Sequence, residues 1–254
     1  MNSNKNQKIL VLIPARIDSS RFPGKPMAKI LGKPMIGHVY DNVKKNGLIS
    51  NLAVATCDDE IYEYINSIGG RAVMTSKKHE RASDRCAEAL IKIEQKNQTK
   101  YDIVVMVQGD EPMTHPHMIT EAIQPMLEEP DILVTNLLGK IGSKDEFKDP
   151  NCIKVVCDLK GNALYFSRQP IPTCFKTNDI PMGKQICVIP FQRDFLLEYN
   201  KLEPTPLEII ESVDMMRILE HGLNVRMVPT KFETHAVDTE EDLIYVESMI
   251  KGKK

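Results

Sequence analysis

The sequence predicts an α/β fold, a mostly parallel, doubly wound sheet carrying a β-hairpin arm or lid. Three observations lead there. Apolar runs alternate with amphipathic segments through the first half of the chain. Ile9–Ile13 is apolar at every position and Asp102–Val107 is nearly so, as in strands buried on both faces of a parallel sheet. Loops rich in charge and glycine follow both runs, where open α/β sheets place their ligands, at the carboxyl ends of strands.

The elements follow in order. Ile9–Ile13 is the first strand, and Met35–Asn46 has helical spacing and stops at Gly47. Asn51–Thr56 is the second strand. Asp58 caps a helix running to Ile68, closed by Gly69 and Gly70. Arg71–Met74 is a short strand, Ser83–Gln95 an amphipathic helix with Ser83 as N-cap, Asp102–Val107 the central strand, and His115–Glu128 a further helix. This βαβ alternation argues for parallel strands with helices on both faces. Cys152–Cys157 and Ala163–Phe166, joined by a turn at Lys160–Asn162, read as a hairpin. Lys184–Phe191 is a strand, Phe195–Asn200 and Leu207–His221 are helices, Leu223–Val228 is a strand, and Glu240–Ile250 closes the chain as a helix. With no repeat and no linker, residues 1–254 are expected to form a single domain, with the arm roughly within 150–195.

Composition narrows the function classes. The chain has 254 residues, enough for a full core, and 33 basic against 35 acidic side chains. That balance gives no footprint for nucleic acid. No apolar run approaches the roughly 18 residues of a membrane span, and the polar start lacks a signal-peptide core. Six cysteines without C-x-x-C spacing support neither a zinc site nor a disulfide framework, so a reduced cytoplasm is the expected compartment.

Two motifs carry chemistry. Pro14-Ala15-Arg16-Ile17-Asp18-Ser19-Ser20-Arg21-Phe22-Pro23-Gly24-Lys25-Pro26 puts three cations at one strand end. Arginine and lysine hold phosphate oxygens, and glycine lets backbone N–H groups approach them, so the loop reads as a triphosphate cradle. Gln108-Gly109-Asp110-Glu111-Pro112 follows the central strand. Asp110 there is either a turn residue or a carboxylate for magnesium, which takes one or two carboxylates plus substrate phosphates. Asp238, before the acidic turn Thr239–Asp242, reads on its own as a helix cap.

Taken in order with Lys154-Val155-Val156, Ala163-Leu164-Tyr165-Phe166-Ser167-Arg168-Gln169-Pro170-Ile171-Pro172 and Val237-Asp238-Thr239, these motifs resemble the 3-deoxy-manno-octulosonate (Kdo) cytidylyltransferases over nearly the whole chain. The resemblance implies a nucleotide-diphospho-sugar transferase-like fold and a reaction of CTP with a 2-keto sugar acid, giving a CMP-sugar and pyrophosphate for surface-polysaccharide synthesis. It implies catalytic roles for Arg16, Lys25, Asp110 and Asp238, with Asp110 and Asp238 holding Mg2+. It places Pro14, Ala15, Arg16, Ser19, Arg21 and Lys25 at the nucleotide, and Gln108 at the cytosine edge. The resemblance also implies a homodimer.

His79-Glu80-Arg81-Ala82-Ser83-Asp84-Arg85 is similar to the family's H-x-S-G-T-[DE]-R loop, so His79, Ser83 and Arg85 join the implied nucleotide site, while Arg81 and Ala82 depart from the pattern. The sugar side departs further. Arg168 is kept and suits a carboxylate, and Glu211 is kept on the later helix. Gln185 stands where the family has histidine, Ile189 where it has tyrosine and Met215 where it has glutamine. The resemblance thus implies Arg168, Gln185, Ile189, Glu211 and Met215 as acceptor-side residues and a Kdo-like acid that need not be Kdo. A nucleotidyltransferase for another acceptor (another ulosonic or nonulosonic acid, or a phosphonate) and a non-catalytic CTP-binding module remain alternatives. Met215 also has a plain reading as core filler.

Overall fold

The computed structural model describes residues 7–18, 22–176 and 183–252. β1 (Ile9–Ala15) runs into the cationic loop, and a short ribbon, β2 (Lys29–Ile30) with β3 (Lys33–Pro34), leads to α1 (Met35–Lys44). Then come β4 (Asn51–Thr56), α2 (Asp59–Ser67), β5 (Ala72–Met74), α3 (Ala82–Asn97), β6 (Ile103–Val107) and α4 (Pro116–Glu128). β7 (Thr135–Lys140) and α5 (Lys144–Lys148) precede the hairpin β8 (Lys154–Cys157) and β9 (Ala163–Ser167). β10 (Gly183–Ile186), β11 (Val188–Gln192), α6 (Arg193–Tyr199), α7 (Pro206–Glu211), α8 (Met215–Glu220), β12 (Arg226–Pro229) and α9 (Glu240–Gly252) complete the chain.

The main sheet has the order β11-β6-β1-β4-β5 and is parallel except for β11. Its central strand is covered on both faces, as its uninterrupted apolar sequence requires. Leu10 and Leu12 pack into a core shared with α3, α6 and α8. Ile9, Val11 and Ile13 pack into the opposite core with α1, α2 and α4.

The expected hairpin forms and extends a sheet. β8 and β9 belong to a second five-stranded sheet, ordered β12-β7-β10-β8-β9. β7 was not expected from the sequence. The expected strand over Lys184–Phe191 breaks at Cys187: β10 lies in the second sheet and β11 in the first. The expected helix over Leu207–His221 also breaks, at Ser212, which takes φ 51. Of the two expected caps, Asp58 stands at the N-cap of α2 without a side-chain cap bond, and Ser83 does not cap α3. The Asp58 Oδ2 instead accepts from the Ile17 N–H at 2.8 Å and so braces the first loop. Ser83 lies inside α3, and its hydroxyl donates to Asp214 at 3.2 Å.

Candidate active site

The site lies where β1, β6 and the β10–β11 break converge. Gly24, in the left-handed region at φ 75, turns the first loop so that Lys25 points back across the end of the sheet. The Lys25 ammonium donates to Asp110 Oδ2 at 2.7 Å, Asp238 Oδ1 at 3.0 Å and the Val237 carbonyl at 3.1 Å. Burial, the largest single influence, opposes charge on this lysine. The two carboxylates outweigh it, and its pKa lies above the ordinary lysine value.

Residues far apart in sequence meet here through backbone bonds. The Val237 N–H donates to the Asp110 carbonyl at 2.9 Å, and Gln108 N–H to the Cys187 carbonyl at 3.1 Å. The cap question at Asp238 is also settled by geometry. The Thr239 hydroxyl accepts from the Asp242 N–H at 3.1 Å while the Asp242 carboxylate accepts from the Thr239 N–H at 2.9 Å, a reciprocal capping box. Asp238 is thereby left to turn its carboxylate toward Lys25.

Asp110 Oδ1 is buried and hydrogen-bonds to none of the described residues. A buried carboxylate oxygen in that state is suited to a hard cation. No group of three or more His, Cys, Asp or Glu side chains fit to hold a metal occurs among the described residues. Beside Asp110, the Asp238 carboxylate faces the same lysine, so the two acids form a carboxylate pair of the kind that can serve a hard cation also bound by other oxygens.

Two cavities adjoin this pair. One, of about 390 Å³, is lined by Pro14, Ala15, Arg16, Lys25, Arg85, Gln108 and Asp110 among others. The other, of about 570 Å³, is lined by Arg168, Gln185, Ile189, Asp214 and Asp238 among others. Arg16, Glu80, Arg81, Ala82, Gln108, Asp110 and Ser212 line both, so the two form one cleft with a shared wall.

The expected site residues distribute unevenly. Arg16, Lys25, Asp110, Asp238, Pro14, Ala15, Arg85 and Gln108 line the cleft together. Ser19 and Arg21 lie outside the described residues. His79 lines neither cavity; its ring meets Glu88 Oε2 at 2.5 Å. Ser83 is fully buried behind the wall. On the acceptor side, Gln185 and Ile189 line the larger cavity, and Gln185 donates to Asn136 at 2.7 Å. Arg168 lines it too, but its side-chain nitrogens donate to the carbonyls of Glu211, Pro150 and Ser212.

Two acceptor-side expectations are corrected. Met215 is fully buried in the main core, because α8 turns that face toward the sheet. Glu211 lines neither cavity; its carboxylate accepts from Tyr165, Ser167 and the Arg168 N–H.

Glu111 had no assigned role from sequence. It is 4% exposed, accepts from Thr234 at 2.5 Å and from the Cys187 N–H at 3.4 Å, and burial pushes its pKa up. It ties the Asp110 loop to the segment leading to Asp238. Arg81 and Asp214, paired at 2.6 Å across the shared wall, were likewise missed. The only signal for Arg81 was its departure from the loop pattern.

A family model described as cytidylyltransferase matches residues 10–231. A 3-deoxy-manno-octulosonate cytidylyltransferase of Geobacter metallireducens is 43% identical over 247 residues, covering 93% of this chain and 95% of the relative. One from Geobacter sulfurreducens is 42% identical, covering 96% and 99%. A solved structure of CMP:2-keto-3-deoxy-manno-octonic acid synthetase complexed with CTP superimposes with a TM-score of 0.88 at 34% identity, covering 98% of this chain and all of that one.

Proposed function

The chain belongs to the cytidylyltransferase family, and we propose that it joins CTP to 3-deoxy-manno-octulosonate, releasing pyrophosphate. The observation that carries this reading is the Lys25–Asp110–Asp238 cluster at the junction of two cavities, one below the cationic loop and one below the second sheet. CTP occupies the smaller cavity and the sugar acid the larger.

In the reaction, the anomeric hydroxyl oxygen of the sugar acid forms a bond to the α-phosphorus. The bond from that phosphorus to the β-bridging oxygen breaks, pyrophosphate leaves with the electron pair, and the proton of the attacking hydroxyl is released to water. Such a transfer is accelerated chiefly by positioning and charge stabilisation. Arg16 and Lys25 supply fixed positive charge toward the phosphates, and Arg85 and Gln108 line the walls that receive the nucleoside. Gln108 offers both a donor and an acceptor, as a cytosine edge requires. Asp110 and Asp238 are the residues to hold Mg2+, which when bound lowers the pKa of a coordinated hydroxyl and offsets phosphate charge.

Two copies of the chain are proposed to pair through the exposed apolar side chains Leu164, Ile209 and Ile210; light scattering would test this. No helix among the described residues is long and apolar enough to cross a membrane. Together with six free cysteines, this is compatible with a cytoplasmic enzyme supplying surface-polysaccharide synthesis. The direct assay is pyrophosphate release from CTP and Kdo with Mg2+. Release is expected, with Asp110→Asn lowering it on the order of 100-fold while the fold persists. No release with Kdo would sink the proposed acceptor, and unchanged release by the variant would sink the metal assignment.

A further inference from the structure

Lys154, on β8, is fully buried yet makes no ion pair among the described residues. Its three ammonium donors go to three backbone carbonyls, Asp149 at 2.8 Å, Cys152 at 2.7 Å and Arg168 at 2.5 Å. Burying an ammonium is unfavourable unless each donor is matched, so this arrangement holds the three carbonyls at one point. Arg168 continues the pattern. Its Nε donates to the Glu211 carbonyl at 2.6 Å, Nη1 to Pro150 at 2.8 Å and Nη2 to Ser212 at 3.3 Å.

Together the two cations tie the segments 149–152, 167–168 and 211–212. All three contribute to the wall of the larger cavity, through Asp149, Cys152, Arg168 and Ser212. Ser212 holds φ 51, a conformation uncommon for a residue with a side chain, where Arg168 grips its carbonyl. Just beyond it, Asp214 meets Arg81 across the shared wall.

We propose that Lys154 and Arg168 form a cation–carbonyl clasp that positions the acceptor-side wall, with Arg168 acting through that wall rather than by gripping the acceptor's carboxylate. The assignment of the larger cavity to the acceptor rests on the function proposed above. Lys154 is a positioning residue in this scheme: it touches no substrate and selects the acceptor through the segments it holds.

The test uses Lys154→Met, Arg168→Lys and the double variant, with KM for CTP and for Kdo measured separately by pyrophosphate release. Each single variant is expected to raise the Kdo KM about tenfold and leave the CTP KM within about twofold. Because both residues serve one clasp, the double variant should be within about threefold of the worse single variant rather than the product of the two. The preference of Arg168→Lys for Kdo over its carboxamide should equal that of the wild type. Hydrogen exchange at residues 149–152 and 211–213 should quicken in both single variants.

Independent, multiplying effects or a collapse of the acid-over-amide preference in Arg168→Lys would overturn the proposal. So would unaltered exchange in these segments. If wild-type protein does not turn over Kdo, the proposed function fails while the exchange measurement still decides on the clasp. If Lys154→Met does not fold, the amide preference and exchange of Arg168→Lys decide it.

Discussion

Removing the charge of Lys25 probes the centre of the site directly. Its ammonium lies 2.7 Å from Asp110 and 3.0 Å from Asp238, with side-chain exposures of 14%, 18% and 13%. Lys25→Met keeps the length and apolar stem but leaves two carboxylates facing each other. Breaking a buried ion pair from one side costs about 3–5 kcal/mol, and the residual exposure here places the loss near the lower end, about 3 kcal/mol. For a chain of this size 1 kcal/mol shifts Tm by about 2–4 °C, so the variant should melt about 6–12 °C lower in EDTA. Mg2+ should then recover much of the loss, because hard carboxylate oxygens accept that cation where the ammonium stood. Thermal melts of wild type and variant in EDTA and in Mg2+ give the comparison. A variant as stable as wild type in EDTA, or one indifferent to Mg2+, refutes the idea that the aspartates are arranged around a shared cation.

Other substitutions test separate parts of the structure. A Cβ at Gly109 would sit 3.0 Å from Ile36 Cδ1 and 3.2 Å from the Pro14 carbonyl. Gly109→Ala should therefore cost about 1–3 kcal/mol of stability by urea unfolding and displace the Gln108–Asp110 loop, weakening CTP binding in calorimetry; wild-type affinity would show that the loop has room to spare. At Glu88, burial raises the pKa, but hydrogen bonds from Lys92, the Ser76 N–H and His79 prevail and hold it at about 2, below its ordinary 4.5. A carboxyl depressed on folding contributes stability above its unfolded pKa and loses it as pH falls toward the folded one. The wild-type advantage over Glu88→Gln in urea melts should accordingly be full at neutral pH and shrink from 4.5 toward 2; a pH-independent difference would contradict this. Met215→Leu, a near volume-conserving change in the core, should cost less than about 1.5 kcal/mol and leave the Kdo KM unaltered. A raised KM would return that residue to the acceptor pocket.

What the residues reveal before folding depends on whether a role is set locally or by a distant contact. β1, β4 and β6 are legible because strands buried on both faces are apolar at nearly every position, and the motifs at their ends inherit their places from the sheet. The crossing at Cys187 is not legible. Lys184–Phe191 keeps strand character throughout, and only the bonds to Gln108 and Glu111 mark where it leaves one sheet for the other. Nor does Leu207–His221 carry a glycine or proline to announce its break at Ser212; the break is held from outside, by Arg168. Asp238 shows the same division within three residues. An aspartate before an acidic first turn is a fair N-cap by local rules, and the structure gives that task to Thr239 and Asp242. Two residues then do locally what one was expected to do, and the freed carboxylate serves a partner 213 positions away. Arg168 runs the other way: an arginine suited by chemistry to a substrate carboxylate is engaged by three carbonyls of its own chain. Residue type states what a side chain is able to bind, and the competing partners supplied by the fold decide whether it is left able to do so.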